Sequence, residues 1–252
     1  MFRTAKFMAL PLAINGCAGE VIKPDECLNL KKMECPAASV MITVADPAFQ
    51  AHQAYLTNRT NELLRAIPSC SYQSVKEIVF TLNLLTPGAA AEHVCTIIDS
   101  SNGNSSRSCV INISTNWFGQ EKEPVPVTPG VPHYWEYSLL HEVGHDAWDN
   151  VCDRGGFETI SFNHDGTRKN LTENDFLLIY SYYPKEVHVS ALKEAKEDFA
   201  YHFASFVLDR DYFLSGCKQP NTPEEAKKSP SLTAKYFSLQ NNIFDREYPT
   251  AP

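Results

Sequence analysis

The five residues His141-Glu142-Val143-Gly144-His145 constrain this chain more than any other stretch. Two histidines four apart lie one above the other only on a helix, where they share a face. There both imidazoles can reach one metal ion. Glu142 stands one step round the helix, where its carboxylate addresses a water on the ion rather than the ion itself. This is the H-E-x-x-H arrangement of a zinc hydrolase. The flanking sequence agrees with a helix over 134–150, since residues 135, 139, 140, 143, 147 and 148 are apolar at helical spacing. Gly144 interrupts that helix at a cost of about 1 kcal/mol relative to alanine. A glycine between the histidines makes sense if another element packs closely there.

Zinc takes four ligands, and a catalytic site leaves one of them to water. A third protein ligand is therefore needed. The longer pattern H-E-x-x-H-x-x-G-x-x-H would supply a histidine locally, but Trp148 and Val151 occupy its last two fixed positions. The remaining source is a glutamate on a separate downstream helix. Ser190 caps such a helix, expected from Ala191 to about Leu208, with Ala195, Phe199, Phe203, Phe206 and Val207 as its apolar stripe. Glu194 and Glu197 are both candidates on it. The competing reading is a solvated run of lysines and glutamates.

The pairing of H-E-V-G-H with Glu197-Asp198-Phe199-Ala200 resembles the glutamate-liganded zincin metallopeptidases, most closely the anthrax-lethal-factor-like catalytic domain. The similarity covers roughly 134–208. It implies a zincin-like α+β fold, one Zn²⁺ per chain held by His141, His145 and Glu197, and peptide-bond hydrolysis with Glu142 as general base. It also implies a tyrosine seven residues before the ligand glutamate. Ser190 stands there, so the oxyanion-stabilising role falls to Tyr183 or His188, with Tyr180 and Tyr182 as further candidates. Four residues after the ligand, where the family often has an acid, this chain has Tyr201. In a zincin cleft an extended substrate pairs with a strand edge, here expected from Cys109–Ser114 or the loop after it. A fainter pattern, Asp165-Gly166-Thr167, resembles the loop of aspartate-liganded zincins but lacks their aspartate. The alternative reading is a non-enzymatic zincin-fold lipoprotein acting as a binding or structural module, against which the intact Glu142 argues.

Upstream, the chain reads as strands and one helix. Ser39–Val44, Val75–Leu85, Val94–Ile98 and Cys109–Ser114 are rich in β-branched residues. Asp46 as N-cap and Pro47 in the first turn open a helix to about Ile67. Its core candidates are Phe49, Tyr55, Leu56, Leu63, Leu64 and Ile67. A prolinic loop over about 118–132 leads to the histidine helix and is read as a cover for the cleft. Ala234–Leu239 is a last short helix. The expected architecture is α+β: an upstream mixed sheet with a helix, then the H-E-x-x-H helix and a downstream glutamate-bearing helix.

The N-terminus resembles a bacterial lipoprotein signal. Arg3 and Lys6 are basic, Phe7–Ile14 is apolar, and Ile14-Asn15-Gly16-Cys17 follows. The resemblance implies a signal over 1–16, a lipid on Cys17, a tether over 17–37 and a single domain over 38–252. It places the chain at the periplasm or outer membrane, with secretion as second choice. Eight cysteines without a C-x-x-C pair agree with export and disulfides. The pairings expected are Cys27–Cys35, Cys95–Cys109 and Cys152–Cys217. A net charge of −8 argues against nucleic acid as a partner. The partners expected are a protein or peptide substrate, and the membrane only through the Cys17 anchor, with the chain a monomer.

Overall fold

A computed structural model describes residues 38–99, 105–118, 124, 132–150, 156–170, 194–210 and 230–244. The fold is α+β. Its strands are β1 (Met41–Val44), β2 (Val75–Thr81), β3 (Ala91–Asp99) and β4 (Ser105–Ser114). They form one mixed sheet in the order β1-β2-β4-β3. β1 runs parallel to β2 and β2 parallel to β4, while β3 is antiparallel to β4. A parallel neighbour needs a crossover. Between β1 and β2 that crossover is a 3₁₀ segment, Pro47–His52, followed by α1 (Gln53–Arg65). Asp46 caps it as expected, accepting from the Ala48 amide at 3.0 Å. The expected single helix thus starts as a tighter 3₁₀ turn.

β4 lies inside the sheet, paired on both sides. This corrects the expectation that Cys109–Ser114 offers its edge to a substrate, because its backbone groups are already taken by β2 and β3. Among the described strands, the edge on that side belongs to β3.

Helix α2 (Tyr134–Asn150) carries H-E-V-G-H, with the bounds expected from its periodicity. Its first turn is locked by a reciprocal cap. The Glu136 carboxylate accepts from the His133 amide at 2.9 Å, and His133 Nδ1 accepts from the Trp135 amide at 3.4 Å. Glu136 is fully buried and is neutralised by Arg59 of α1 at 2.5 Å. Trp135 meets Phe80 of β2 edge-on, with ring centroids 5.3 Å apart, which seats α2 on the sheet. Phe80, Ile78, Ile111 and Ile113 are completely buried in this layer.

Among the described residues the helices that follow are α3 (Glu158–Ser161), α4 (Ala195–Leu208) and α5 (Pro230–Leu239). α4 packs along α2 through Phe199, whose ring meets Trp148 at 5.4 Å and Phe157 at 5.1 Å. α5 backs α4, with Phe206 and Tyr236 5.1 Å apart. α5 starts four residues earlier than expected and continues into a π turn, Gln240–Phe244. No described helix is long and apolar enough to cross a membrane. The signal, Cys17, most of the prolinic cover and the disulfides Cys27–Cys35 and Cys152–Cys217 lie outside the described residues. Cys95 and Cys109 are disulfide-bonded, as expected from their neighbouring strands, and Cys70 is disulfide-bonded as well.

Candidate metal centre

His141 and His145 point from one face of α2 toward the first turn of α4, where Glu197 waits. The two Nε2 atoms are 3.1 Å apart. Glu197 Oε2 lies 3.4 Å from His141 Nε2, and Oε1 lies 3.2 Å from His145 Nε2. All three residues are buried. The edge between two ligands of a tetrahedral zinc ion, at bond lengths near 2.1 Å, is about 3.4 Å. The observed separations lie within 0.3 Å of that figure on all three edges. The donor set of two imidazoles and one carboxylate suits zinc, so the residues present fit the ion. Both Nδ1 atoms are buried and have no hydrogen-bond partner among the described residues.

The rival ligand is decided by where α4 begins. The helix starts at Ala195, four residues later than expected, which leaves Glu194 at the cap in extended conformation and exposed. Glu197 is then the third helical residue, buried, and its negative charge is favoured by the helix N-terminus. Burial opposes its ionisation, but hydrogen bonds and charge from His141 and His145 overcome this and hold the carboxyl well below its usual range. The reciprocal effect acts on His141. Burial disfavours its imidazolium, and the Glu197 carboxylate outweighs that and raises its pKa.

The two helices can meet this closely because of Gly144. A Cβ there would stand 2.8 Å from the Ala200 Cα and 3.2 Å from its carbonyl oxygen. The glycine expected to permit a close approach is thus the contact point of α2 with α4, one turn from Glu197.

Each charge in the run Lys196-Glu197-Asp198 has its own partner. Lys196 reaches Asp149 at 3.0 Å. Asp198 binds Lys235 of α5 at 2.8 Å and His202 at 3.0 Å, all three buried. Burial would raise the Asp198 carboxyl, and the charges of Lys235 and His202 bring it below its ordinary value. This cluster fixes the turn that carries Glu197. A solvated lysine–glutamate face is therefore not what these residues form.

Asp149 joins α2 to α4 through Lys196 and to β4 through Arg107, the latter at 2.5 Å. Burial acts to raise its carboxyl, and Lys196 and Arg107 together hold it low. A depressed folded-state pKa stabilises above the unfolded value, about 4, and the gain is lost as pH falls through the folded value. Asp149→Asn is expected to cost about 1 kcal/mol at pH 7. In urea titrations the gap to wild type should close toward pH 3; a gap that persists there would remove the ion pair as its cause.

Two tyrosines border the centre. The Tyr201 ring packs on His141 with centroids 4.4 Å apart, and its carbonyl accepts from the Tyr137 hydroxyl at 3.2 Å. Tyr201 follows Glu197 by one helical turn, so its place beside the centre could be read from the α4 periodicity. Tyr134 feels the Glu142 charge across α2. Burial, then that charge, push its phenol up to about 12, so it stays protonated. The sequence signal for Tyr134 is its position two turns before Glu142. Glu142 itself is half-buried. Tyr183, His188, Tyr180 and Tyr182 lie outside the described residues. Asp165 accepts from the Thr167 amide at 3.0 Å within an exposed turn and joins no metal-holding group among the described residues.

Compared with known proteins, the chain matches no family model, no curated protein and no solved structure.

Proposed function

We propose that the chain is a zinc-dependent peptidase of the glutamate-liganded zincin type. The observation that carries this is the convergence of His141, His145 and Glu197 from two helices, with Glu142 beside them on α2. Bound zinc supplies a coordinated water with a pKa near 7 and polarises a carbonyl. Glu142 accepts a proton from the attacking water and hands it to the departing amine. Tyr201 packs on His141 and Tyr134 lies within reach of the Glu142 charge, and Tyr134 keeps its proton. Glu197, anchored through its neighbours Lys196 and Asp198, holds its side of the centre fixed.

The antiparallel strand β3 lies beside α2 and leaves one backbone edge unpaired among the described strands. An extended peptide adding to that edge would run alongside the histidine helix. This replaces β4 as the proposed substrate strand. The N-terminal sequence supports export as a lipoprotein, and the Cys95–Cys109 disulfide suits an oxidising compartment.

The test is metal content and cleavage of casein by the purified chain under non-reducing conditions. One zinc per chain is expected, with cleavage abolished by a chelator and restored by zinc. A chain that takes up no zinc would overturn the reading. Zinc uptake with no cleavage of any peptide would support a binding module instead.

A further inference from the structure

A second group of donors lies on the other side of α2. His93 and Cys95 alternate on one face of β3, and Cys109 stands directly opposite Cys95 on β4. Asp146 comes down onto them from α2. We propose that His93, Cys95, Cys109 and Asp146 form a second site for zinc or another thiophilic divalent ion, open only when the Cys95–Cys109 disulfide is reduced.

The donor atoms lie within 4.8 Å of one another. His93 Nε2 is 3.3 Å from Cys95 Sγ and 3.5 Å from Asp146 Oδ1. In a tetrahedral zinc site those edges are about 3.6 Å and 3.4 Å, and two thiolates stand about 3.8 Å apart. Reduction frees the sulfurs to reach that spacing. Asp146 is fully buried; its Oδ2 accepts from Asn150 at 2.8 Å, but Oδ1, with His93 Nε2 3.5 Å away, accepts no hydrogen bond among the described residues. A buried carboxylate oxygen without a donor is costly, and a cation removes that cost.

Charge also balances. A divalent ion with two thiolates and one carboxylate leaves one negative charge. The Arg107 guanidinium, 3.0 Å from Cys95 Sγ, supplies the compensating positive charge. It also favours the thiolate over the thiol once the bond is opened.

The chemistry is a two-electron exchange. A dithiol reductant gives two electrons and two protons to the Cys95–Cys109 bond and becomes a disulfide itself. The two new thiols then lose those protons as the ion binds. Disulfide and metal are mutually exclusive states of one site. Because Asp146 belongs to α2 and the other three residues to β3 and β4, the state of this site governs how α2 is tied to the sheet.

Cobalt separates this site from the His141–His145–Glu197 centre, because only thiolate ligands give intense sulfur-to-cobalt absorption in the near ultraviolet. The full chain is titrated with Co²⁺ before and after anaerobic reduction by a phosphine. No such band is expected in the oxidised chain, and in the reduced chain it should develop and saturate within two equivalents, the His141–His145–Glu197 centre taking the other. His93→Ala and Asp146→Asn retain the disulfide and should weaken Co²⁺ binding in the band at least tenfold. His141→Ala should leave the band intact even if the peptidase reading fails. Zinc should also protect Cys95 and Cys109 of the reduced chain from iodoacetamide, read by peptide mapping. Absence of the band in the reduced chain would overturn the proposal, and so would a band indifferent to His93→Ala and Asp146→Asn.

Discussion

Glu142→Gln is expected to keep its zinc and to lose about 10²- to 10⁴-fold in kcat, the usual contribution of a positioned general base. Glutamine matches glutamate in size and can keep the same place on α2. Glu142 is not among the residues that converge as a metal-holding group, which are His141, His145 and Glu197. Zinc content by mass spectrometry should therefore equal that of wild type. The amide cannot take a proton from water, so turnover falls while KM changes little. Loss of zinc together with activity would mean that Glu142 acts as a ligand. Cleavage at the wild-type rate would end its assignment as base. The same inactive variant should hold a cleavable peptide long enough to identify it, which addresses the substrate directly.

How much of this site was legible depended on how local each determinant is. The bounds of α2 follow from a periodic apolar pattern and from the proline-rich approach, both contained in the segment itself. The Cys95–Cys109 bond follows from two short strands close in sequence. By contrast, Glu194 and Glu197 are one turn apart, and periodicity ranks them equally. Only the point where α4 begins puts one outside the helix and the other inside the centre. The run Lys196-Glu197-Asp198 looks like a solvent-facing stripe in isolation. Its partners Asp149, His141, His145 and Lys235 come from distant parts of the chain.

The place of β4 was misread for a related reason. Its sequence specifies a buried strand, but β2 lies on one side through a parallel pairing and β3 on the other through a hairpin. Parallel pairing joins residues far apart in sequence, and neither strand's own pattern names its partner. His93 and Asp146 meet for the same long-range reason, with α2 laid across the β3–β4 pair. No spacing motif links them.

Gly144→Ala should weaken both the fold and the centre, and it tests the helix contact that brings the ligands together. In an isolated helix alanine would gain about 1 kcal/mol over glycine. Here the new Cβ meets the Ala200 backbone at 2.8 Å, and a backbone atom within a packed helix cannot swing aside as a side chain can. α2 and α4 must separate by a fraction of an ångström or more. Overpacking of this kind costs about 1–3 kcal/mol, and after the propensity gain a net loss of up to about 2 kcal/mol in urea unfolding of the metal-free chain is expected. The effect on the centre is larger. Glu197 stands one turn from Ala200, so it moves away from both histidines with the helix. Zinc affinity should fall about 10- to 100-fold, the range seen when groups that orient metal ligands are displaced. Circular dichroism should show that helix content is retained, separating displacement from unfolding. A Gly144→Ala chain that is more stable than wild type and binds zinc equally well would mean that helix propensity dominates at this position. The close contact with Ala200 would then not be what sets the geometry of the centre.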